Sequence, residues 1–499
     1  MSIIDQSPNT SVSQRGSVLT EEAEAGFHRE LGILDATALV AGSMIGSGIF
    51  IVSADIARTV QSPGWLLLVW LLSGAITVLG ALSYGELAAM MPRAGGQYVY
   101  LREAYSPLWG FLYGWTLFLV IQTGTIAAVA VAFAKFLGVL VPWVSAQHIV
   151  FQLGGLAPLS TQRAVAIAVI ALLTWWNCRG LYQGKILQDL FTLAKIGALI
   201  LLILLGLWVG VHSPAGGLSV NLAHFWGDAP ISPGFLMLVG GAMVGALFSS
   251  DAWNNITFTA GEVKRPQVTL PVSLLLGTGL VTLLYVLANL AYLSLLPLWG
   301  LEQGATVVER GIQYATDDRV GTAAGQQIFG SAGAVIMAVA IMVSTFGCLN
   351  GLILTGPRLY FAMARDRLFF KRAGTLNGAG VPARGLWLQM LWASLLTLSG
   401  SYSNLLDYVI FAALLFYVLT VAALFVLRNQ RPDAERPYKA LGYPWLPGIY
   451  IVAASAIMLD LLFVKPTYTW PGLLIVLTGI PVYVFWRRRV VAVQPPPHR

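Results

Sequence analysis

The sequence predicts an all-α membrane protein with twelve transmembrane helices. Of its 499 residues, 57% are hydrophobic and only 10% are charged, whereas about 25% of the residues in an average soluble domain are charged. Uncharged runs such as 59 to 85 and 104 to 134 exceed the ~20 apolar residues that cross ~30 Å of hydrocarbon. These observations exclude a soluble globular protein.

Twelve stretches are long and apolar enough to be read as membrane spans. Their approximate limits are 34 to 60, 64 to 91, 108 to 134, 163 to 179, 186 to 211, 233 to 260, 268 to 296, 328 to 357, 385 to 400, 404 to 427, 446 to 464 and 470 to 486. Glycine makes up 52 of the 499 residues, above the ~7% of an average protein. Because small residues let membrane helices approach closely, we expect a tightly packed bundle.

The distribution of lysine and arginine predicts the orientation of these helices. An even number of spans places both termini on one side of the membrane, and the tails and loops of that side carry 22 basic residues, against 6 on the opposite side. Because cytoplasmic loops are enriched in basic residues, both termini are predicted to be cytoplasmic. We expect a multi-pass protein of the plasma membrane, or of the inner membrane if the source is bacterial.

The chain divides into four segments. Residues 1–33 are predicted to form a cytoplasmic tail, because they contain several glutamates and lack the apolar region of a signal peptide. Residues 34–430 form a ten-helix core, 431–490 contain helices 11 and 12, and 491–499 form a second cytoplasmic tail. The net charge of +7 reflects the basic loops, so no nucleic-acid partner is expected and the lipid bilayer is the surrounding medium.

Two predicted spans contain residues that a lipid-facing helix avoids. Residues 42 to 48 of the first span include three glycines and two serines, which lower helix propensity, so we expect a break there. Residues 249 to 255 of the sixth span include Asp251, whose charge costs ~2.5 to 3.5 kcal/mol at the centre of a membrane helix. The second segment must therefore face protein or water.

These two interruptions lie five spans apart, and an odd offset means that the second copy enters the membrane from the opposite side. Such an arrangement is typical of an inverted five-helix repeat. Interrupted spans at corresponding positions of two halves indicate a midplane substrate site of a secondary transporter. Independent breaks, as in a channel or a membrane-embedded enzyme, are the alternative.

An ordered series of short motifs resembles a known family. The motifs are Gly46 to Phe50, Tyr84 to Leu87, Pro92 to Tyr100, Asn177 with Cys178, Asp189 to Phe191 ahead of Lys195, Phe248 to Asn254, Gly261 to Val263 with Pro266, and Gly356 to Arg358. The series resembles the amino acid, polyamine and organocation superfamily, and the motifs from Phe248 to Pro266 resemble more narrowly its L-type amino acid transporter family. The resemblance covers most of spans one to ten. It implies the leucine-transporter-type fold, a 5+5 inverted repeat with broken helices 1 and 6, plus two further helices.

The physical chemistry of the two breaks agrees with the substrate mode that this resemblance implies. Backbone amides at the start of the second half of helix 1 lie at a positive dipole end and suit an α-carboxylate, while carbonyl groups freed at both breaks suit an α-ammonium. Helix packing is the alternative role for the glycines, and a bond to its own helix is the alternative for the serine. The predicted substrate-binding residues are Met44, Ile45, Gly46, Ser47 and Gly48 in helix 1, and Phe248, Ser249, Ser250, Asp251, Ala252 and Trp253 in helix 6.

Three of these residues carry further expectations. Phe248 matches the aromatic gate of the family, and Trp253 follows five residues later, although either residue can be a core aromatic. Asp251 occupies a position where many members of the family have a small residue, and where subtypes that accept cationic amino acids have an Asp. Its carboxylate is therefore expected either to select the substrate side chain or to cap the second half of helix 6.

Lys195 lies nine residues into the fifth predicted span, which is about 13 Å at 1.5 Å per residue. At that depth, pairing of its ammonium with backbone carbonyls is more favourable than extension to the surface, which is the alternative. By resemblance it matches the fifth-helix lysine that lies where sodium-coupled relatives hold a cation. It is therefore predicted to be a surrogate for the cation site, which implies sodium-independent transport.

The remaining polar residues do not suggest a metal, a cofactor or an ATP-driven activity. His148, His212 and His224 lack ligand-like spacing, and the chain contains no phosphate-binding loop of the Gly-Lys-Ser/Thr type. Glu86 is expected to pair with a loop arginine, such as Arg93 or Arg358, and a proton-carrier role is the alternative.

The resemblance thus implies a transporter of L-amino acids that works by alternating access, with exchange favoured over net uptake. A receptor that binds amino acids without transport and a proton-coupled uptake permease are the alternatives. Heteromeric relatives bind an accessory glycoprotein through a cysteine between helices 3 and 4, but residues 142 to 162 contain none. No disulfide-linked accessory subunit is therefore expected.

Overall fold

The computed structural model describes residues 27–152, 158–213, 217–227, 232–399, 402–464 and 466–491. Most of the predicted tails 1–33 and 491–499 lies outside the described residues. Within the described residues the protein is helical, apart from a short hairpin in which β1 (Ile149–Phe151) pairs antiparallel with β2 (Leu159–Ser160).

The described residues form eighteen α-helices. The first nine are α1 (Ile33–Met44), α2 (Gly48–Val60), α3 (Pro63–Met90), α4 (Gln97–Ala104), α5 (Pro107–Thr116), α6 (Gln122–Leu140), α7 (Thr161–Asn177), α8 (Leu181–His212) and α9 (Leu218–Ala223). The others are α10 (Pro233–Ser249), α11 (Pro266–Leu295), α12 (Val307–Arg310), α13 (Val320–Phe329), α14 (Gly333–Arg365), α15 (Ala383–Ser399), α16 (Tyr402–Gln430), α17 (Trp445–Val464) and α18 (Pro466–Val491).

Several 3₁₀-helices and one π-helix lie between the α-helices. A π-helical turn, Leu117–Ile121, joins α5 to α6, and a 3₁₀-helix, Trp253–Glu262, continues α10 after a break. Further 3₁₀ turns are Thr316–Asp318, Gly330–Ala332 and Lys371–Gly374. The predicted eighth span is longer than expected, because α13 and α14 together run from Val320 to Arg365.

The described residues contain nine helices or continuous spans that are long and apolar enough to cross a membrane, or ten when the bent pair α1 and α2 is counted as one span. Helices α7 and α15 have 17 residues each. The predicted class, an all-helical membrane protein with a broken first helix, is therefore confirmed. The hydrocarbon core requires helices because each backbone N–H and C=O group must be paired within the span.

Serine and proline set the start of two spans. Ser62 Oγ accepts a hydrogen bond of 3.3 Å from the Trp65 amide at the start of α3, and Ser232 Oγ accepts one of 3.2 Å from the Phe235 amide at the start of α10. In each case the following residue is a proline, whose missing N–H costs nothing in the first turn. These local signals place the helix ends that surround the broken segments.

Contacts between distant loops define two faces of the bundle. On the N-terminal face, Leu31 forms a parallel β-bridge with Val263, and the Lys264 amide donates to the Leu31 carbonyl at 2.8 Å. On the opposite face, Arg58 at the end of α2 forms an ion pair of 2.7 Å with Asp318. The first span thus runs from one face to the other, and the sixth span ends on the N-terminal face, beside the start of the first.

Candidate functional site

The breaks in the first and sixth spans lie against each other. The first break separates α1 from α2, with a bend of 41°. A Cβ at Gly48, the first residue of α2, would lie 2.0 Å from Ser249 Oγ and 3.1 Å from Ser249 Cα. Only a residue without a side chain permits this approach. The two interruptions that the sequence indicates separately therefore form one site.

Tyr285 of α11 connects the two breaks. Its hydroxyl lies 3.0 Å from the Met44 carbonyl oxygen at the end of α1 and 3.0 Å from the Ser249 carbonyl oxygen at the end of α10. Its ring is buried and packs edge-on against Trp70, with ring centroids 5.3 Å apart. Sequence reasoning missed Tyr285, because a single tyrosine in an apolar helix has no local pattern that reveals which distant carbonyls it reaches.

Lys195 of α8 is fully buried and contacts two other helices. Its ammonium donates to the carbonyl oxygens of Gly42 at 2.6 Å, Ile45 at 2.8 Å and Ser344 at 3.1 Å. These three acceptors match the three donors of an ammonium group. The lysine therefore lies at the junction of α1, α8 and α14, and its ammonium is bound to carbonyls rather than extended to the surface.

Two side chains of α14 also bind the end of α1. Ser344 Oγ lies 3.2 Å from the Ile45 carbonyl oxygen and 3.1 Å from the Gly46 carbonyl oxygen. The Cys348 thiol lies 2.9 Å from the Ser43 carbonyl oxygen. The carbonyl oxygens of Ser43, Ile45 and Gly46 in the unwound part of helix 1 thus have partners, as buried backbone acceptors require.

Amide groups at the break have a different environment from the carbonyls. The Gly46 and Gly48 amides donate to no protein acceptor in the part of the chain that the structure describes, whereas the Phe50 amide donates to the Ser47 carbonyl at 3.0 Å. Ser47 is buried and lies at the N-cap of α2. Because the first amides of a helix have no acceptor within that helix, they form an anion-binding end.

The carbonyl groups that were predicted to receive an ammonium already accept hydrogen bonds. The Met44 and Ser249 carbonyls share the single Tyr285 hydroxyl as a donor, the Ile45 carbonyl accepts from both Lys195 and Ser344, and the Phe248 carbonyl accepts from the Asp251 amide at 3.0 Å. A carbonyl oxygen has two lone pairs. The Met44 and Ser249 carbonyls can therefore each accept one further donor, whereas both lone pairs of the Ile45 carbonyl are used.

The break in the sixth span lies at residues 250 to 252. Ser250, at the C-cap of α10, donates its amide to Ala246 and Leu247, and Ala252 has a left-handed backbone with φ of +65°. A residue with a side chain pays a conformational cost in that region, of order 1–3 kcal/mol, and such residues cluster at functional sites. The left-handed residue redirects the chain into the following 3₁₀-helix.

Asp251 is buried between this break and α16. Its Oδ1 accepts a hydrogen bond of 2.6 Å from the Tyr417 hydroxyl. The N-cap of the following 3₁₀-helix is Ala252, and no side-chain cap bond is found there in the described part of the chain. The carboxylate is thus bound to a distant helix, and its two predicted roles, selection of the substrate side chain and capping of helix 6, stay predictions.

A chain of polar side chains extends from Asp251 to the short helix α4. The Tyr417 hydroxyl lies 3.2 Å from Asn254 Oδ1, and Asn254 Nδ2 donates to Gln97 Oε1 at 2.9 Å. Gln97 Nε2 donates in turn to the Phe416 carbonyl and to Thr420 Oγ1 of α16. These bonds fix the second half of the sixth span against α16.

Two small cavities meet at Asp251 and Tyr417. The first lies between Gln122 of α6, Leu352 of α14 and the 250–255 segment. The second lies on the other side of the pair, between Thr77 of α3 and Tyr450 of α17. Asp251 therefore borders both spaces, and its charge affects any group that enters either one.

The two predicted aromatic gates have different surroundings. Trp253 is 2% exposed and packs against Tyr84 and Tyr417, with ring centroids 4.7 and 5.2 Å away. Phe248 is also buried and precedes the break by two residues. Trp253 is thus a packed aromatic between α3 and α16, whereas Phe248 lies on α10 at the edge of the break.

The partner expected for Glu86 was wrong. Glu86 accepts two hydrogen bonds from Arg428, of 3.0 and 2.6 Å, forms an ion pair of 3.2 Å with Arg436, and accepts from the Ala440 amide at 2.6 Å. Arg358 instead pairs with Glu262 at 3.0 Å. The class of interaction was predicted correctly, but its partners are up to 354 residues away and leave no local sequence signal.

Among the described residues, no cluster of three or more His, Cys, Asp or Glu side chains is arranged to hold a metal ion. The two cysteines are free. The site thus consists of backbone amides, backbone carbonyls, one ammonium and one carboxylate. Such a set suits reversible binding of a small zwitterion.

Comparison with known proteins agrees with this arrangement. The amino acid permease family matches residues 31–485. The chain is 31% identical over 502 residues to the large neutral amino acids transporter small subunit 2 of Mus musculus, covering 97% of this chain and 88% of the relative.

Two further relatives are similar over most of their length. The serine/threonine exchanger SteT of Bacillus subtilis (strain 168) is 30% identical over 470 residues, covering 93% of this chain and 98% of SteT. The b(0,+)-type amino acid transporter 1 of Homo sapiens is 28% identical over 465 residues, covering 93% of this chain and 89% of the relative. The match spans nearly all of the described bundle, and the chain therefore belongs to the amino acid permease family, whose members are membrane transporters and not enzymes.

Proposed function

We propose that the protein is a sodium-independent exchanger of L-amino acids that works by alternating access. The observation that carries this proposal is the contact between the two broken helices, where Tyr285 joins the Met44 and Ser249 carbonyls and where the Gly46 and Gly48 amides have no protein acceptor among the described residues. Donors for a carboxylate and acceptors for an ammonium thus lie a few residues apart. This arrangement fits the part that all L-amino acids share.

The architecture that we propose has twelve spans. Helices α7 and α15, with 17 residues each, are long enough to cross a thin or locally compressed hydrocarbon layer and would complete the ten longer spans. Family membership supports a leucine-transporter-type 5+5 repeat. The excess of basic residues supports a cytoplasmic position for the N-terminal face and for both termini.

Backbone groups at the two breaks would bind the α-carboxylate and the α-ammonium of the substrate. The α-carboxylate would bind the Gly46 and Gly48 amides, and the α-ammonium would take the second lone pairs of the Met44 and Ser249 carbonyls. Phe248 would then cover the bound molecule, because it lies on α10 directly before the break. These side-chain-independent contacts would accept many amino acids.

Lys195 supports sodium independence. Its ammonium satisfies the Gly42, Ile45 and Ser344 carbonyls, so a positive charge already lies between α1 and α14. A sodium ion at this place would meet that charge and would find its carbonyl ligands occupied. We therefore infer that uptake does not require sodium.

Asp251 supports a role in side-chain selectivity. It borders the cavity beside Gln122, where the side chain of a bound amino acid would extend. Because its Oδ1 already accepts from Tyr417, neutral substrates are favoured, and a cationic side chain would need to compensate for the desolvation of both charges. Cationic amino acids are thus a second substrate class that this residue permits.

Exchange without an accessory subunit completes the proposal. One relative of similar length is named a serine/threonine exchanger, which favours exchange over net uptake. Residues 142 to 162 contain no cysteine for an intersubunit disulfide. We expect the purified chain to be active alone.

Uptake of labelled amino acid into proteoliposomes tests these points together. Purified protein should transport labelled leucine or serine only when the liposomes contain unlabelled amino acid, and choline in place of sodium should not change the rate. Uptake into empty liposomes that is driven by a proton gradient would instead establish a proton-coupled permease. Saturable binding without any uptake would establish a receptor.

A further inference from the structure

A continuous series of hydrogen-bonded, buried polar side chains, here called the polar chain, connects α7 to α1. Asn177 Nδ2 donates to Asn350 Oδ1 at 2.9 Å, and Asn350 Nδ2 donates to Gln188 Oε1 at 3.1 Å. Gln188 Nε2 lies 3.4 Å from Thr192 Oγ1, and Thr192 Oγ1 lies 3.2 Å from the Ala38 carbonyl oxygen of α1. All four side chains are buried.

The direction of the polar chain is fixed from one end to the other. Asn350 receives the Asn177 donor on its oxygen, so its amide nitrogen faces Gln188. Gln188 receives that donor on its oxygen, so its own nitrogen faces Thr192. Since the Thr192 hydroxyl then accepts from Gln188, its single hydrogen is free to point at α1. Each bond thereby orients the next one.

The packing around the polar chain leaves little room for another arrangement. A Cβ at Gly42 of α1 would lie 2.2 Å from both Gln188 Nε2 and Thr192 Oγ1. A Cβ at Gly351 would lie 2.6 Å from Ser43 Oγ and 3.1 Å from Gln188. Helix α1 is therefore in close contact with Gln188 and Thr192 of α8, about one helical turn from Lys195.

We propose that Gln188 and Thr192, oriented by Asn350, are positioning residues that hold α1 closed against α8 and α14. The inference rests on the alternating-access function proposed above, in which α1 must leave this position when the site opens to the N-terminal face. The bonds among Asn177, Asn350 and Gln188 do not involve α1, whereas the Thr192 bond crosses to it. Within the polar chain, the Thr192 bond is therefore the one that breaks on opening.

Cys348 reports the movement of α1. Its thiol is 3% exposed and lies against the Ser43 carbonyl, and a Cβ at Gly46 would lie 3.2 Å from its sulfur. An alkylating reagent reaches this sulfur only after α1 moves away. Replacement of Cys178, the other cysteine, by serine leaves Cys348 as the single thiol of the chain.

The test measures the rate at which N-ethylmaleimide alkylates Cys348 in the purified Cys178→Ser protein, without substrate. Thr192→Val keeps the shape of the side chain but removes the hydroxyl, and should accelerate alkylation about five-fold, since one hydrogen bond contributes about 1 kcal/mol. Thr192→Ser, which retains the hydroxyl, should restore the parent rate. Thr397→Val is the matched control, because the buried Thr397 hydroxyl donates to the Ala393 carbonyl of its own helix and, among the described residues, to no other helix.

A second variant tests the orienting role of Gln188. Gln188→Met should also accelerate alkylation, and should add nothing further in the Thr192→Val background, because both act through one bond. If Thr192→Val does not fold, Gln188→Met decides alone, since it leaves Thr192 in place.

Equal alkylation rates in the Thr192→Val and Thr397→Val proteins would overturn the proposal. A folded Gln188→Met protein that is alkylated at the parent rate would also overturn it. So would a double variant, Gln188→Met with Thr192→Val, in which the two effects on the rate are fully additive. Because the assay needs no transport, a protein that binds amino acids but does not move them still gives a valid result. Failure of the proposed function and failure of this inference are thereby separated.

Discussion

The Tyr417 hydroxyl donates a hydrogen bond of 2.6 Å to Oδ1 of Asp251, across 166 residues of sequence. This contact places the acidic side chain at the break of the sixth span, which is buried, against α16. It also orients the carboxylate at the border of two cavities. We therefore expect the electrostatic character of the proposed substrate site to depend on Asp251.

Asp251→Asn should affect substrate classes differently. We expect inhibition of leucine uptake by lysine or arginine to fall by orders of magnitude, because breaking a buried charge pair costs about 3–5 kcal/mol. Alanine and leucine transport should change little. Asp460→Asn, on α17 and away from both cavities, is the control. Equal loss of both classes, or no effect of cationic amino acids on the parent protein, would contradict this role and leave a transporter of neutral amino acids.

Lys195→Ala should abolish most transport. Removal of the ammonium leaves the Gly42, Ile45 and Ser344 carbonyls without this donor, and an unsatisfied buried polar group costs about 1–3 kcal/mol. Lys135→Ala is a matched control, because the Lys135 ammonium binds the Asp317 carbonyl in a loop outside the site. Uptake should be measured in sodium and in choline, and a steep sodium requirement in the parent protein would refute the assignment.

Gly48→Ala should reduce both stability and uptake. The added methyl group would lie 2.0 Å from Ser249 Oγ, so the two breaks must move apart, at a cost of about 1–3 kcal/mol for overpacking. Gly279→Ala is the control, because nothing lies within 4 Å of a Cβ at that helical position. Thermal unfolding and initial uptake rates should distinguish the two variants. Similar behaviour of both would show that the contact between the breaks is not critical.

Glu86→Gln should destabilise the protein by about 3 kcal/mol, because it leaves two guanidinium groups facing a neutral amide. Glu103→Gln, whose pairs with Arg102 and Arg431 are partly exposed, should cost no more than about 1 kcal/mol. Thermal unfolding in detergent measures both effects. A changed pH dependence of transport with unaltered unfolding would instead favour a proton-carrier role for Glu86.

The orientation can be tested by cysteine labelling in the Cys178→Ser background. Cysteines at Ser13, which lies outside the described residues, and at the exposed Asp433 should react with an impermeant maleimide only from the cytoplasmic side. A cysteine at Leu301, which is 68% exposed on the opposite face, should react only from outside. Labelling of Ser13 and Asp433 variants from different sides would mean that a span was miscounted.

Much of the fold follows from local properties of the chain. The length of each apolar run predicts a helix, because hydrocarbon offers no partner for backbone groups. The glycines and serines at 42 to 48 and the polar residues at 249 to 255 predict the two breaks, because helix propensity and the cost of a buried charge depend mainly on the residue itself. The ends of the spans were less accurate, as the extension of the eighth span to Val320 and Arg365 shows.

The partners across the site depend on tertiary structure. Glu86 binds Arg428, which is 342 residues away in the sequence, and Tyr285 reaches Met44, which is 241 residues away. Helical periodicity relates only residues that are a few positions apart, so it cannot predict such pairs. The sequence by itself therefore determined an all-helical membrane protein with two interrupted helices and a lysine too deep to reach the surface. Only the tertiary structure decided which carbonyls that lysine satisfies, how Tyr285 joins the breaks and which side chain orients Asp251, because these contacts form only after helix packing brings distant segments within hydrogen-bonding distance.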